Sequence, residues 1–229
     1  STMKVPVMIA LFRAYEAGAL DLDAAVPVTA TFRSVVDGAP FRMEPDEVDA
    51  GLAALEGTTL PVRELIERMI TDSSNEATDI LLECIDLPAV QAVVQDLGAS
   101  RTVIARPIGD LRAAAAGIQN LVTADDLVRI MTAIVTGKAA RAESCVQMAE
   151  ILCRQRHRVG IPDALPPEVT TASKGGWVTR LRHDVAVVWP PDAPPYCQAI
   201  CTRGLEDGPA LAEIHQRATS AYADRHTPS

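Results

Sequence analysis

Large aromatic side chains are scarce, at 3% of the 229 residues, so the core has to be filled mainly by alanine, valine and leucine. No apolar run approaches the roughly 20 residues that span a bilayer, and no signal sequence is visible, so no membrane segment is expected in this stretch. Basic residues are outnumbered: 21 lysines and arginines against 30 aspartates and glutamates give a net charge of −9 and a pI near 4.9. An acidic surface argues against nucleic acid or an anionic membrane as partner. The five cysteines (Cys84, Cys145, Cys153, Cys197 and Cys201) are odd in number and lack the C-x-x-C spacing of a structural zinc site. Neither a disulfide framework nor a metal centre is expected, the histidines at 157, 183, 215 and 226 being scattered. Cys197 and Cys201 sit in a strand-like run and read as small buried apolar residues.

What the chain does have begins at its first residue. Ser1-Thr2-Met3-Lys4 places a hydroxyl and an amine about one helical turn apart, the spacing of a nucleophile and its proton acceptor in acyl transfer. The helix that follows, expected over Thr2–Ala17, is apolar around most of its circumference through Val5, Val7, Met8, Ile9, Leu11 and Phe12. A lysine inside such a helix is costly to bury, and burial lowers its pKa toward the range where the neutral amine can take a proton from a neighbouring hydroxyl. The plainer alternative is a capping serine with a lysine that snorkels to solvent.

Two further segments stand out. Ser73-Ser74-Asn75 interrupts two apolar-periodic runs, as in a helix, a turn and a second helix, where either serine alone could serve as a cap. Ser173-Lys174-Gly175-Gly176-Trp177 follows the β-favouring Val169–Ala172, and its glycines suit either a close backbone approach to a ligand or an ordinary hairpin. Helices are expected over Pro61–Thr71, Asn75–Ile85, Pro88–Leu97, Ala124–Thr136, Ala142–Gln155 and Pro209–Ala223. Strands are expected over Val169–Ala172, Arg182–Trp189 and Tyr196–Thr202, the last two joined across the proline-rich residues 190–195. A helical middle and a β-rich end read as an α+β fold.

S-x-x-K, S-x-N and K-x-G, in this order and at these separations, resemble the motifs of the class A β-lactamase and penicillin-binding-protein superfamily. The likeness covers most of the chain, including Arg182–Pro191 and the segment Phe32–Gly38. It implies a β-lactamase/transpeptidase-like fold, a helical lobe packed beside an antiparallel sheet. A single domain is expected, its helical part at about 1–155 and its sheet and terminal helix at about 165–225. It also implies a small-molecule substrate, no cofactor, and acylation of Ser1 with Lys4 as general base or relay. By the same resemblance Ser73 shuttles the proton to the leaving group, and Asn75 holds Lys4 and the substrate amide. Lys174 supplies positive potential next to Ser73. The N–H groups of Ser1 and Trp177 form the oxyanion hole. Substrate binding falls to Gly176, Trp177 and Arg182. Trp177 reads equally as a pocket wall or a core residue, and Arg182 as a carboxylate holder or the partner of Asp184.

The departures carry information too. Gly175 stands where relatives have a threonine or serine hydroxyl for the substrate carboxylate, and Ser74 stands where they have aspartate. The glutamate that activates the deacylating water in class A enzymes has no counterpart. Its place falls near Ile108 or Gly109, and the nearest carboxylate is Asp110, either a substitute base or an exposed loop residue. Relatives carry a helix and two strands before the nucleophile, so the chain reads as a piece of a longer protein, with its compartment open between periplasmic, secreted and cytoplasmic. The expected function is β-lactam or related amide and ester hydrolysis. The alternatives are a penicillin-binding or D-Ala-D-Ala peptidase-like protein that deacylates slowly, and a catalytically impaired relative.

Overall fold

The computed structural model describes residues 1–44 and 48–226, which group into two compact units. The first runs from Met3 to Val122. It opens with α1 (Lys4–Glu16), in which every residue from Lys4 to Phe12 is buried, as the all-round apolar pattern predicts. Pro6 is tolerated because the N–H groups of a first helical turn have no intrahelical partner. Two small antiparallel ladders follow. β1 (Ala25–Pro27) pairs with β4 (Thr59–Pro61), and β2 (Thr31–Arg33) with β3 (Pro40–Arg42), while Asp49 caps α2 (Ala50–Ala53). None of these strands was expected, since three residues are too few to show an alternating pattern.

The helices α3 (Val62–Thr71), α4 (Asn75–Cys84) and α5 (Leu87–Asp96) all pack against α1. α3 turns Leu65, Ile66, Met69 and Ile70 inward at helical spacing. At about 1.5–3 kcal/mol for each fully buried large aliphatic side chain, that stripe alone outweighs the intrinsic helix propensities. The short α6 (Leu111–Ala115) completes this unit.

The second unit comprises Ser1–Thr2 and the chain from Thr123 onward. Thr123 caps α7 (Ala124–Val135), its hydroxyl accepting the Asp126 N–H at 3.2 Å, and Gly137 ends that helix at φ 70°. After α8 (Ala142–Cys153) and a 3-10 turn at Pro162–Ala164 comes an antiparallel sheet in the order β5 (Thr170–Val178), β6 (Leu181–Trp189), β7 (Tyr196–Arg203). α9 (Asp207–His226) lies on β6 and β7, where Ile214 and Ala218 meet Ala186, Val188 and Ile200. α7 packs on the same two strands and α8 on β5. The mix of helices and antiparallel sheet is the α+β class the sequence implies. No described helix is long and apolar enough to cross a membrane.

Two expectations need correction. Lys174-Gly175-Gly176 lies within β5 rather than at a strand end, paired with Val185, Asp184 and His183 of β6, and neither glycine has a positive φ. The hairpin turn is instead Thr179-Arg180, with Arg180 at φ 60°. Cys201 is exposed and Cys197 only partly buried, because both lie on the face of β7 opposite the core residue Ile200, where Cys197 meets Val128 of α7. All five cysteines are free thiols.

Candidate active site

Lys4, the first residue of α1, is fully buried, and its ammonium meets the turn between α3 and α4. Nζ donates to the Ser73 carbonyl, to Ser73 Oγ at 3.2 Å and to Asn75 Oδ1 at 2.8 Å. These acceptors offset the cost of burying the ammonium. Backbone geometry creates this arrangement. Asp72 closes α3, Ser74 caps α4 by accepting the Ala77 N–H at 3.1 Å, and Ser73 between them adopts φ 56°. A non-glycine residue in the left-handed region costs about 1–3 kcal/mol and persists where its surroundings over-determine it. Of the two serines in position to cap α4, Ser74 does so, while the Ser73 hydroxyl meets Lys4. The expected grouping of Lys4, Ser73 and Asn75 is therefore present.

Asp110 is neither exposed nor a free loop carboxylate. It is fully buried and caps α6: Oδ1 accepts from Ala113 N and from Ser34 Oγ, each at 3.0 Å, and Oδ2 from Val35 N at 2.9 Å. Its carboxylate ties Ser34 and Val35 to the loop before α6. A different carboxylate reaches Ile108 and Gly109. Asp79, one turn past Asn75 on α4, accepts the N–H groups of Ile108 at 2.8 Å and Gly109 at 3.0 Å. Burial raises its pKa to about 7, against the opposing pull of those N–H groups and of Lys4. The sequence offered one signal for it, an acidic residue inside the apolar run Ala77–Leu82.

On β5, Lys174 is buried and donates to the Gly175 carbonyl at 2.9 Å. Burial lowers its pKa to about 8, countered by the charge of Asp184 on β6. Asp184 is itself buried and raised to about 7 by desolvation, while its Oδ2 accepts the Ile161 N–H at 2.6 Å. Gly160 is needed beside it, because its φ is 125° and a Cβ would stand 2.3 Å from that oxygen. Gly176 faces the start of the chain: a Cβ there would lie 2.6 Å from Ser1 N and 3.1 Å from Thr2 N. The bare backbone at 176 thus lets the Ser1–Thr2 segment lie directly on the strand. Gly175 is different, since its Cβ would make only ordinary contacts of 3.5 Å or more.

The two remaining candidates form a pair. Trp177 is 52% exposed, not a core residue. The Arg182 guanidinium sits 5.3 Å from its ring centroid, and His157 meets it edge-on at 6.3 Å. Arg182 pairs with Asp207 at the start of α9 at 2.7 Å, not with Asp184.

The profile of the beta-lactamase enzyme family matches residues 1–225, whereas no curated protein sequence matches the chain. Among solved structures, PBP-A is similar at 23% identity and a TM-score of 0.80, over 97% of this chain and 79% of that one. A beta-lactamase from Sphaerobacter thermophilus is similar at 26% identity and a TM-score of 0.80, over 99% of this chain and 83% of that one. A beta lactamase from Xanthomonas campestris pv. campestris is similar at 19% identity and a TM-score of 0.81, over 99% and 82%.

Proposed function

The chain belongs to the beta-lactamase enzyme family, and from that premise we propose that it is a class A-type serine hydrolase that opens β-lactam amides through an acyl-enzyme on Ser1. One observation carries the reading: a fully buried lysine, three positions after the serine in sequence, donates hydrogen bonds to Ser73 and Asn75. The same contacts that offset its desolvation hold the amine against the Ser73 hydroxyl, where a proton relay would need it.

In the proposed reaction Lys4 first loses a proton to solvent, and Ser1 Oγ then attacks the lactam carbonyl carbon as its own proton passes to the neutral Lys4 amine. The carbon–nitrogen bond of the ring then breaks, and Ser73 Oγ delivers a proton to the departing nitrogen while Lys4 restores it. Asn75 orients Lys4 and the substrate amide, Lys174 supplies positive potential for the substrate, and the N–H groups of Ser1 and Trp177 hold the oxyanion. Water then cleaves the ester and frees Ser1. Trp177 offers an exposed aromatic face to the substrate. Arg182 has its charge committed to Asp207, so it acts by supporting Trp177 rather than by gripping a carboxylate. In a bacterium this activity would remove β-lactam antibiotics.

A second reading, slow deacylation as in a penicillin-binding protein, is favoured by a separate observation. Position 108 is isoleucine, and the Asp110 carboxylate is taken up by three hydrogen bonds. Among the similar structures, a leucine-to-glutamate mutant of PBP-A is described as an acyl-enzyme complex with penicillin G. Chromogenic cephalosporin assays on the protein and its Ser1→Ala variant decide between the readings. Continuous colour that requires Ser1 supports a β-lactamase, and a single stoichiometric burst supports slow turnover. Colour that persists in Ser1→Ala refutes both.

A further inference from the structure

The loop 106–110 is held by the hydrogen bonds of three side chains, those of Asn120, Arg106 and Asp79. Asn120 Oδ1 accepts the N–H groups of Ala105 and Arg106 at 2.8 and 3.1 Å, and the Arg106 guanidinium donates to the carbonyls of Pro107 and Ile108 at 3.0 and 2.9 Å. Two successive N–H groups remain, those of Ile108 and Gly109, and each goes to one oxygen of the buried Asp79. An ionised carboxylate is acceptor-only and suits two facing donors. An asparagine would turn its own N–H against one of them. Gly109 belongs to the same fit, because a Cβ there would come within 2.8 Å of Met43 Cγ and 3.2 Å of Asp79 Oδ2. The charges that act on Asp79 are the Lys4 ammonium from α1 and the Arg106 guanidinium from the loop. Asp79 lies one helical turn beyond Asn75, whose side-chain oxygen takes a Lys4 proton.

We propose that Asp79 is a positioning residue of this site: its carboxylate clamps the loop 106–110 to α4 and places a negative charge opposite the Lys4 ammonium. The second half rests on the reading of Lys4 as proton relay. Removing the charge leaves the loop with one unmatched donor and makes Lys4 release its proton more readily, so acylation gains an acid-shifted pH profile. Misplacement of about 1 Å around the relay lowers the maximal rate by about tenfold to a hundredfold.

The test is Asp79→Asn in the intact protein, read in two ways. In amide NMR spectra the Ile108 and Gly109 protons move upfield and lose at least about tenfold in exchange protection, while the rest of the spectrum keeps its dispersion. The pH profile for covalent labelling of Ser1 by benzylpenicillin moves toward acid. A folded variant whose Ile108 and Gly109 signals are unchanged overturns the clamp, and coincident pH profiles overturn the charge role. If benzylpenicillin labels neither protein, the functional reading and the charge role fall, while the NMR signals still decide the clamp. Should Asp79→Asn not fold, the unaltered protein is titrated between pH 5 and 9. A common midpoint for the two amides supports the proposal, and independent or absent titration refutes it.

Discussion

Two adjacent glycines of β5 have unlike surroundings and should answer differently to an added methyl. An alanine methyl at 176 would lie 2.6 Å from the backbone nitrogen of Ser1 and 3.2 Å from its Cα. Non-bonded heavy atoms rest near 3.5 Å, so the Ser1–Thr2 backbone has to move by about 1 Å. A displacement of that size at a nucleophile costs about a hundredfold in rate, or about 2.7 kcal/mol of barrier. The same methyl at 175 meets Asp184 Oδ1 at 3.5 Å and the His183 carbonyl at 3.7 Å, ordinary contacts, and replaces a glycine in a strand interior. Gly175→Ala is therefore expected to hold stability level or raise it by up to about 1 kcal/mol, with acylation within a few-fold of the parent. The assay is the second-order rate of benzylpenicillin acylation, followed by quenched mass spectrometry, with thermal melting to confirm folding. Equal rates for Gly176→Ala and Gly175→Ala would refute the argument that the strand backbone positions Ser1.

Three more expectations concern the loop 106–110 and the Lys174–Asp184 pair. Ile108→Glu, at the one of the two candidate positions that has room for a side chain, supplies the absent carboxylate and is expected to raise the deacylation rate at least about tenfold while acylation stays level, as steady-state cephalosporin turnover will report. Asp110→Ala loses a cap and strands the Ser34 and Val35 donors, so it costs about 2–4 kcal/mol in urea denaturation and leaves the ratio of deacylation to acylation unchanged in the protein that still folds. Stability also depends on pH through Asp184 and Lys174. The native Asp184 keeps its proton up to about 7, against 3.8 for a free carboxyl, so between those values the native state binds more protons and stability falls as pH rises. Native Lys174 gives up its proton at about 8 instead of 10.5, so between 8 and 10.5 stability rises with pH. Asp184→Asn should flatten the first slope and Lys174→Met the second, as urea melts across the pH range will report.

The sequence was most legible where pattern and spacing are local. The buried circumference of α1, the Thr123 cap, the break at Ser73–Asn75 and the β6–β7 proline loop were all readable from periodicity or turn chemistry. The glycine pair was located but misread as a strand end, because nothing local shows that β5 continues to Val178 or that Ser1 lies against Gly176. Asp79, Asp184 and Asp110 show a harder limit. Each is a buried carboxylate whose backbone N–H partners include ones 23 or more positions away in sequence, and side-chain spacing gives no access to such pairs. Arg182 illustrates the same point, since its partner proved to be Asp207 on the next helix and not the aspartate two residues along its own strand.

The functional reading stands or falls on whether Ser1 forms an acyl-enzyme. A time course of intact-protein mass spectrometry with benzylpenicillin, followed by peptide mapping, asks this of the protein itself. One adduct per chain is expected, located on Ser1, absent from Ser1→Ala, and longer-lived than the same adduct on Ile108→Glu. No adduct, or an adduct that persists when Ser1 is alanine, would contradict the reading.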